Sequence, residues 1–561
     1  MCGIIGYIGK KQAYPIIVNG LKKLEYRGYD SYGICVLNNK NVFLKKRVGR
    51  ISNESSENEC EGCIGLGHSR WATTGGVCEK NAHPHEYNGF YVVHNGIVEN
   101  YKELKEDLIK KGHEFNSDTD TEVIAHLIGE EFNGNLENAT RKALKKIIGS
   151  YGIAVASLKD DNKIVIAKMS SPIIIGICSD GNIVASDASA VIDHTKQIIT
   201  LDDGEMAILR EDGYMILKEK KIETIDWESD SISKGDYDHY MLKEIMEEAK
   251  VIESATQGRL LEDNVKLGGL ESSKERLEKI SKIYLIGCGT GHYAAKVGEY
   301  LMEEIGGLDA EAHIGSEIRY RNPKLDRNQA AIFVSQSGET ADNLAALKKM
   351  KDAGVLCLGV TNAIGSTQTR ETEGGVYTRC GPEIAVASTK AFIGQITVLT
   401  MISIFLGRQR NLSENGAKEI ISELKNLSKK AQLILDKKDK INEIAKKYSG
   451  FKNFWFIGRK FNYPIAMEGA LKLKEISYVH AEGTPGGELK HGPLALIDEN
   501  CPTIAICPKD SVYDKMLSNI EEVKARNGKV IAIATEGDEK IKEIVNDVIY
   551  IPEAMEFLTT L

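Results

Sequence analysis

The sequence predicts an α+β region at the amino end, followed by two copies of a doubly wound parallel α/β domain. Three observations carry this prediction. Residues 1–225 contain short β-rich runs, among them GIAVASLK and SPIIIGICS, bounded by Gly, Asp and Asn, with helical patterns between them. Residues 282–306 resemble residues 453–477, and each segment is an apolar strand, a glycine-containing turn and a long helix. A further strand–helix–strand segment follows each copy, beginning at Ala330 and at Pro502, as in a parallel sheet.

These patterns place the boundaries of the predicted domains. The first domain covers residues 1–225, and a polar, Asp- and Ser-rich linker with a helical lead-in covers 226–278. The first α/β copy covers 279–407 and the second covers 450–561. Residues 408–449 are charged and helical in pattern, and they connect the two copies.

The composition excludes several classes of protein. The chain has 561 residues and a formal net charge of −9, so it has no general attraction for nucleic acid or for an anionic membrane. Its most apolar stretch, AFIGQITVLTMISIFLG, contains Gln395 and falls short of the roughly 20 apolar residues that span a bilayer. We therefore expect no membrane-spanning segment, and the amino end lacks the basic region of a signal peptide.

The cysteines indicate a reducing, cytoplasmic location. There are 11 of them, scattered along a long chain, which does not fit a secreted module held by disulfides. Cys60 and Cys63 form a lone CxxC pair in NECEGC. Without a second pair of ligands, an incidental loop pair is favoured over a zinc or redox site, and no metal is predicted.

The segment FVSQSGET predicts a phosphate-binding loop. A buried strand ends in Ser335, Gln336 and Ser337, and a helix begins just after Thr340. Ligands of open α/β sheets bind at the carboxyl ends of strands, and free N–H groups at a helix start favour an anion. The alternative is ordinary N-capping, which one Ser or Thr would satisfy. Three hydroxyls together, with Gly338 allowing close approach, favour phosphate.

The turn of the first copy, GCGTG, does not keep the GxGxxG spacing of a dinucleotide site, and no ribose-binding acid follows it. Thr290 in this turn instead supplies another hydroxyl to the same sheet edge. In the second copy, Lys472 and Glu475 are spaced i, i+3 on one helix face, and His491 lies in a glycine-bounded loop. A carboxylate and an imidazole suit an aldose–ketose isomerisation, in which one group moves a proton and the other opens the ring. The alternative is a surface salt bridge and an exposed histidine.

With the motifs SQSGETADNL, EIAVASTKAF and ALKLKEISYVHAEGTPGGELKHGPLALI, the chain resembles the glutamine–fructose-6-phosphate aminotransferases over nearly its whole length. The resemblance implies an N-terminal-nucleophile hydrolase domain with αββα layers, a class II glutamine amidotransferase, followed by two sugar-isomerase (SIS) domains. It implies L-glutamine and fructose 6-phosphate as substrates, no cofactor, and a homodimer formed through the SIS domains, in which His491 acts in the neighbouring subunit's site. It also adds Ser388 to the residues expected to bind the sugar phosphate.

The resemblance also gives the opening MCGIIG a function. Once Met1 is removed, Cys2 would attack the amide of glutamine, with its own α-amino group as the base. An α-amine has a reference pKa of about 7.7–8.0, close to working pH. Asn95 and the Gly96 N–H in HNGIVEN would form the oxyanion hole, although HNG by itself also fits a hairpin turn.

Further residues of the glutaminase site follow from the same resemblance. Arg70 suits the substrate α-carboxylate, Trp71 and Thr73 lie on a closing loop, and Asp120 would pair with the substrate ammonium. Arg27 in LEYRGYDSYG is expected to be architectural. The chain departs from the family pattern at Thr74, which stands where a histidine is usual, and at Gly291, which stands where a serine is usual.

The predicted activity is glutamine-dependent amination and isomerisation of fructose 6-phosphate to glucosamine 6-phosphate, with release of glutamate. The chain ends at IPEAMEFLTTL, before the tail whose lysine forms a Schiff base with the ketose in the family. We expect this to reflect truncation of a synthase. The alternative is a sugar-phosphate-responsive glutaminase or regulatory subunit without the transfer step. A different amidotransferase, such as an amidophosphoribosyltransferase, is disfavoured by the paired isomerase modules.

Overall fold

The computed structural model describes residues 2–38, 41–55, 60–216, 220, 222–224 and 234–561. The chain divides into two compact units, Met1–Ser233 and Lys234–Leu561, called unit 1 and unit 2 below. Residues 226–233 of the predicted 226–278 segment lie outside the described residues.

The strands described in unit 1 are β1 (Gly3–Gly9), β2 (Ser31–Asn38), β3 (Asn41–Val48), β4 (Ile64–Arg70), β5 (His85–Tyr87), β6 (Phe90–Val98), β7 (Gly149–Ser157), β8 (Ile164–Met169), β9 (Ile174–Cys178), β10 (Gly181–Ala185), β11 (Gln197–Thr200), β12 (Met206–Arg210), β13 (Gly213–Ile216) and β14 (Glu223–Thr224). The helices are α1 (Ala13–Leu24), α2 (Tyr101–Lys110), α3 (Thr121–Glu131) and α4 (Leu136–Leu144).

Unit 1 is a four-layer structure. Its described strands form an eight-stranded sheet, in the order β14-β11-β9-β10-β1-β4-β2-β3, and a six-stranded sheet, in the order β13-β12-β8-β7-β6-β5. The two sheets bury a shared apolar layer that includes Ile4, Leu66, Val93 and Ile166. Helix α1 covers the outer face of the larger sheet, where Ile17 packs against Gly67 of β4, and α3 and α4 cover the smaller sheet. The predicted αββα layering is confirmed.

The strands of unit 2 are β15 (Lys282–Gly287), β16 (Asp309–Ile314), β17 (Gln329–Ser335), β18 (Leu356–Thr361), β19 (Gly374–Tyr377), β20 (Asn453–Gly458), β21 (His480–Pro485), β22 (Thr503–Cys507), β23 (Val530–Thr535) and β24 (Asp547–Ile551). The helices are α5 (Tyr240–Met246), α6 (Glu248–Thr256), α7 (Lys274–Leu277), α8 (Thr290–Glu304), α9 (Gly315–Ile318), α10 (Ala341–Asp352), α11 (Thr367–Glu371), α12 (Lys390–Gly407), α13 (Glu414–Leu435), α14 (Lys438–Tyr448), α15 (Asn462–Ser477), α16 (Tyr513–Lys524) and α17 (Glu539–Ile544).

Unit 2 contains two parallel five-stranded sheets with matching strand orders, β16-β15-β17-β18-β19 and β21-β20-β22-β23-β24. The predicted duplication of a doubly wound α/β domain is therefore confirmed. Helix α12 is long and apolar enough to cross a membrane by length and composition, but all of its residues are buried in the core of the fold. It packs on α8, where Leu399 lies against Gly298.

Candidate active sites

Cys2 lies directly before β1, and its side chain contacts the backbone of Trp71. The Trp71 N–H donates to Cys2 Sγ over 3.3 Å, and the thiol donates to the Trp71 carbonyl over 3.5 Å. The register of β1 on β4, with Gly3 opposite Ser69, brings these residues together. Burial raises the pKa of the Cys2 thiol. The thiol is therefore protonated near neutral pH, and a nucleophilic thiolate requires a base that removes the proton.

Asn95 and Gly96 lie inside β6, beside Cys2. Asn95 Nδ2 donates to the Cys2 carbonyl oxygen over 2.8 Å. The hairpin-turn interpretation of HNG is wrong, because the segment continues through the strand and pairs with β7. Gly96 has a φ of +144°, and a Cβ at this position would lie 2.0 Å from the Ser150 carbonyl oxygen. Only glycine fits this backbone.

His68 orients the Asn95 amide, and sequence analysis did not identify it. Its Nε2 lies 3.1 Å from the His94 carbonyl oxygen, which can only accept, so Nε2 carries the proton. The atom of Asn95 that lies 3.1 Å from the same Nε2 must then be the acceptor Oδ1. His68 is fully buried and stacks on His83 with ring centroids 4.0 Å apart. Burial lowers the pKa of His68 to about 3, so the ring stays neutral and holds Asn95 with Nδ2 towards Cys2.

Arg70, at the end of β4, holds the loop that follows it. Its guanidinium donates to the carbonyl oxygens of Thr74 over 2.7 Å, Gly75 over 2.8 Å and Gly76 over 3.1 Å. Arg70 is 3% exposed. Thr74, where the sequence departs from the family pattern, contributes its backbone carbonyl to this arrangement.

Trp71 and Thr73 are exposed on the same loop. The Trp71 side chain packs edge-on against Tyr29, with ring centroids 5.2 Å apart. Between the two exposed residues, the Ala72 N–H donates to Asp30 Oδ2 over 2.8 Å and fastens the start of the loop. Cys2, Arg70 and Trp71 therefore lie close together where β4 ends.

Asp120 is buried just before α3, and its Oδ2 accepts from the Val98 N–H over 2.8 Å. Its negative charge contributes to the raised pKa of Cys2, which places it near the thiol. Glu122 fastens the loop before Asp120 by accepting from the Asn116 and Ser117 N–H groups over 2.8 and 2.7 Å. Burial raises the pKa of Glu122, but the hydrogen bond with His126, the Ser117 hydroxyl and these two N–H groups outweigh it and lower the pKa to about 2.

Arg27 forms a buried ion pair with Asp187 at 2.8 Å, and its Nε donates to the Tyr26 hydroxyl. This arrangement agrees with an architectural function. Among the described residues, no three or more His, Cys, Asp or Glu side chains are grouped to hold a metal, and this includes Cys60 and Cys63.

The SQSGET loop of unit 2 connects β17 to α10 at the carboxyl edge of the first parallel sheet. Ser335 Oγ accepts from the Gly338 N–H over 3.0 Å, and Ser337 Oγ accepts from the Glu339 N–H over 3.2 Å. Gly338 has a φ of +66°, and a Cβ there would lie 2.1 Å from Ser366 Oγ. The hydroxyl oxygens thus shape a tight loop that only glycine can close.

The N-capping interpretation of this loop is wrong for Thr340. Thr340 is the N-cap residue of α10, but its side chain makes no capping hydrogen bond and lies 3.3 Å from Ser335 Oγ instead. The Gln336 carbonyl accepts from the Asn362 and Ala363 N–H groups, which ties the loop to the end of β18. The first N–H groups of a twelve-residue helix therefore remain for an anion.

Helix α15 of the second copy reaches the carboxyl edge of the first sheet. The turn that contains Thr290 follows β15, the neighbour of β17, so Thr290 lies at the same edge as the SQSGET loop. Lys472 Nζ donates to Thr290 Oγ1 over 3.0 Å and to Glu475 Oε2 over 2.7 Å. The tertiary fold thus joins the predicted proton-transfer pair to a predicted sugar-phosphate residue.

Ser388 lies just before α12, and its hydroxyl donates to Glu383 Oε2 over 2.8 Å. The other Glu383 oxygen accepts from the Thr389 and Ala391 N–H groups over 2.9 and 3.0 Å. Glu383 therefore holds the start of α12. Among the described residues, no hydrogen bond joins Ser388 directly to the SQSGET loop.

His491 is not brought to this cluster. It is exposed at the end of a 3₁₀ helix, Gly486–His491, that follows β21 at the carboxyl edge of the second sheet. Glu475 precedes the start of β21, at the opposite edge of that sheet. Glu475 thus comes before the first residue of β21 and His491 after its last, and the six residues of this strand span about 20 Å. Within the described chain, His491 makes no hydrogen bond or ion pair.

Comparisons with known proteins match two kinds of domain in this chain. The profile of the SIS domain matches residues 276–404 and 448–561, and that of the glutamine amidotransferase domain matches residues 75–192. A glutamine–fructose-6-phosphate aminotransferase (isomerizing) of Chlorobaculum tepidum is 46% identical over 99% of this chain and 93% of its own length. One from Thermus thermophilus is 43% identical over 100% of this chain and 94% of its own length.

A solved structure is similar to unit 2. The C-terminal domain of glucosamine-fructose-6-phosphate aminotransferase from Francisella tularensis aligns with a TM-score of 0.56 and 37% identity, covering 58% of this chain and 93% of that domain. Together with the full-length relatives, this alignment shows that the chain belongs to the family of isomerising glutamine–fructose-6-phosphate aminotransferases.

Proposed function

We propose that this chain transfers the amide nitrogen of L-glutamine to fructose 6-phosphate and isomerises the product to glucosamine 6-phosphate, releasing glutamate. The observation that carries the proposal is the Lys472–Thr290 hydrogen bond, which joins a proton-transfer pair to a phosphate-binding sheet edge. The full-length relatives carry the same name for their activity.

The first half-reaction is hydrolysis of glutamine at Cys2. With Met1 removed, the α-amino group takes the thiol proton, and the thiolate attacks the side-chain amide carbon. The Asn95 Nδ2–H and the Gly96 N–H stabilise the oxyanion, and the α-ammonium group of Cys2 passes the thiol proton to the amide nitrogen, which leaves as ammonia. Water then hydrolyses the thioester to glutamate and the free thiol. Arg70 and Asp120 bind the α-carboxylate and α-ammonium of glutamine, while Trp71 and Thr73 close over it.

His68→Ala is expected to lower kcat for glutamine hydrolysis by about 10- to 100-fold with little change in KM, because the Asn95 amide loses the group that orients it. Glutamate release measures this effect. The rate of Cys2 alkylation by iodoacetamide should be unchanged, since alkylation forms no oxyanion. His68→Gln, which restores an N–H donor, should recover part of the rate, and the exposed His194→Ala is the matched control. Equal losses of hydrolysis and alkylation would contradict an orienting function.

The second half-reaction takes place in unit 2. The phosphate binds to Ser335, Gln336, Ser337 and Thr340, with Thr290 and Ser388 contacting the sugar. His491 opens the ring, ammonia adds to the C2 carbonyl and water leaves to give an imine, and Glu475 moves a proton from C1 to C2 beside Lys472. These residues supply acid–base and binding chemistry, and the reaction as written uses no cofactor.

Incubation of the chain with glutamine and fructose 6-phosphate tests the proposal. Glucosamine 6-phosphate and glutamate should appear in equal amounts. Glutamate without glucosamine 6-phosphate would instead favour a regulatory glutaminase, an alternative that the full-length relatives do not support.

We further propose that the enzyme is a cytoplasmic homodimer formed through unit 2. All 11 cysteines lie in the part of the chain that the structure describes, and none forms a disulfide, in agreement with a reducing compartment. Ile476 and Tyr478 are 55% and 78% exposed beside Glu475, and Leu496 is 66% exposed near His491, so apolar side chains close in sequence to each group are open to a partner subunit. The positions of Glu475 and His491 beyond opposite ends of β21 suit a site that takes its histidine from the partner.

This dimer predicts complementation. Glu475→Gln and His491→Asn subunits should each be inactive as isomerases alone. Mixed dimers, formed by dissociating and reassociating an equal mixture, should regain about a quarter of the wild-type activity, since half of the dimers are mixed and each has one intact site. Product formation measures the recovery. The matched control is Glu521→Gln, at an exposed position of α16. A mixture of Glu521→Gln and His491→Asn subunits should show only the activity that the Glu521→Gln subunits have by themselves. No recovery in the first mixture would contradict the shared site.

A further inference from the structure

Glu468 is a buried carboxylate of α15 for which sequence analysis found no function. The residue is 5% exposed and lies one helical turn before Lys472. Its Oε1 accepts from the Thr290 hydroxyl over 3.0 Å. Its Oε2 is buried and has no hydrogen-bond partner among the described residues. A buried carboxylate oxygen without a partner is costly, which makes this group unusual for a purely structural residue.

Glu468 and Thr290 together hold the Lys472 ammonium. Lys472 Nζ lies 3.4 Å from Glu468 Oε1, 3.0 Å from Thr290 Oγ1 and 2.7 Å from Glu475 Oε2. Because the Thr290 hydroxyl donates its only hydrogen to Glu468, its lone pair is left to accept from Lys472. Three oxygens from two helices thus fix one ammonium group against Glu475.

We infer that Glu468 is a positioning residue for the isomerisation: its charged carboxylate orients the Thr290 hydroxyl and holds Lys472 beside the proton-transferring Glu475. This inference rests on the proposed function of unit 2. A lysine on a flexible stem needs such fixed partners to stay in one place, since its side chain loses considerable entropy when it is ordered.

The protonation of Glu468 gives the inference a pH signature. Burial raises the pKa of Glu468 to about 7, and the nearby Glu475 adds to this, while Lys472 and the Thr290 hydroxyl oppose it. Tyr293 lies on α8, where burial raises its pKa and the charge of Glu468 adds to this increase. Below about pH 7 the carboxyl is protonated and loses its hold on Lys472. The kcat of isomerisation should therefore rise with pH through about 7.

Glu468→Gln tests the inference, because glutamine keeps the size and an acceptor oxygen for Thr290 but has no charge. We expect kcat for sugar-phosphate isomerisation to fall about 10- to 100-fold, with KM nearly unchanged and no inflection near pH 7. Glu468→Asp should restore an inflection. The exposed Glu521→Gln on α16 is the matched control and should leave rate and pH profile unchanged.

The outcomes separate this inference from the proposed function. If the wild type forms product and Glu468→Gln keeps both its rate and its inflection, the inference is overturned while the proposed function stands. If the wild type forms no product, the proposed function fails. Crystal structures of the wild type and of Glu468→Gln then test whether Glu468 holds Lys472 in place. Withdrawal of Lys472 from Thr290 in Glu468→Gln would support it, and an unmoved Lys472 would overturn it.

Discussion

Replacing Cys2 with alanine is expected to lower glutamine hydrolysis by about 10⁴-fold or more while leaving fructose 6-phosphate binding intact. The nucleophile would be lost, and no other thiol contacts the Trp71 backbone beside Asn95 in the described structure. Cys2 belongs to unit 1, whereas the predicted sugar-phosphate residues all belong to unit 2. Glutamate release measures the first effect, and titration calorimetry with fructose 6-phosphate measures the second.

A residue retained before Cys2 separates the thiol from the amine. Such a chain keeps the thiol but converts its α-amine into an amide, which cannot take the thiol proton whose pKa is raised by burial. Hydrolysis should again be lost, although iodoacetamide should still alkylate Cys2. Cys178→Ala, in the larger sheet of unit 1, is the matched control and should retain activity. Substantial glutamate release from either Cys2 variant would refute the N-terminal nucleophile.

The reciprocal experiment replaces Glu475 with glutamine. The variant should lose isomerisation by about 100- to 10,000-fold, because an amide cannot accept the C1 proton, while glutamine hydrolysis at Cys2 continues. KM for fructose 6-phosphate should change little, since the phosphate loop lies on β17 and α10 rather than on α15. Exchange of the C1 hydrogen with solvent deuterium, followed by NMR, measures the proton transfer directly.

Glu482→Gln is the matched control for this prediction. Glu482 is exposed on β21, shortly after the end of the same helix, and has no predicted function. The Glu482→Gln enzyme should exchange the C1 hydrogen of the sugar phosphate with solvent at the wild-type rate. Wild-type exchange in Glu475→Gln would assign the proton transfer to another group. A loss of glutamine hydrolysis in the same variant would instead indicate a folding defect.

Much of the fold could be read from the sequence because its signals are local. Apolar runs bounded by glycines predict the buried parallel strands, and the repeated strand–turn–helix pattern predicts two sheets with the same order. The αββα layers of unit 1 were reached only through the family resemblance. Strand alternation shows which face is buried, but it does not show which distant strands pair.

The candidate sites were found where their residues stand in motifs, and missed where they do not. Ser335 to Thr340 lie together in one loop, and Asn95 directly precedes Gly96, so their chemistry is visible in a few letters. His68, Glu122 and Glu468 each support such a residue from a distance along the chain. A lone histidine or glutamate on a strand or helix resembles any other until its partners are known.

By itself, the sequence determined the chemical groups available: a thiol next to the chain start, a hydroxyl-rich loop at a strand end, and a lysine–glutamate pair on one helix face. Those assignments depend on spacings of a few residues, which the backbone geometry of one element controls. Only the tertiary structure decided that Lys472 meets Thr290, that His68 orients Asn95, and that His491 and Glu475 lie beyond opposite ends of β21. Such contacts join residues far apart in the chain, and they depend on how whole sheets and helices pack.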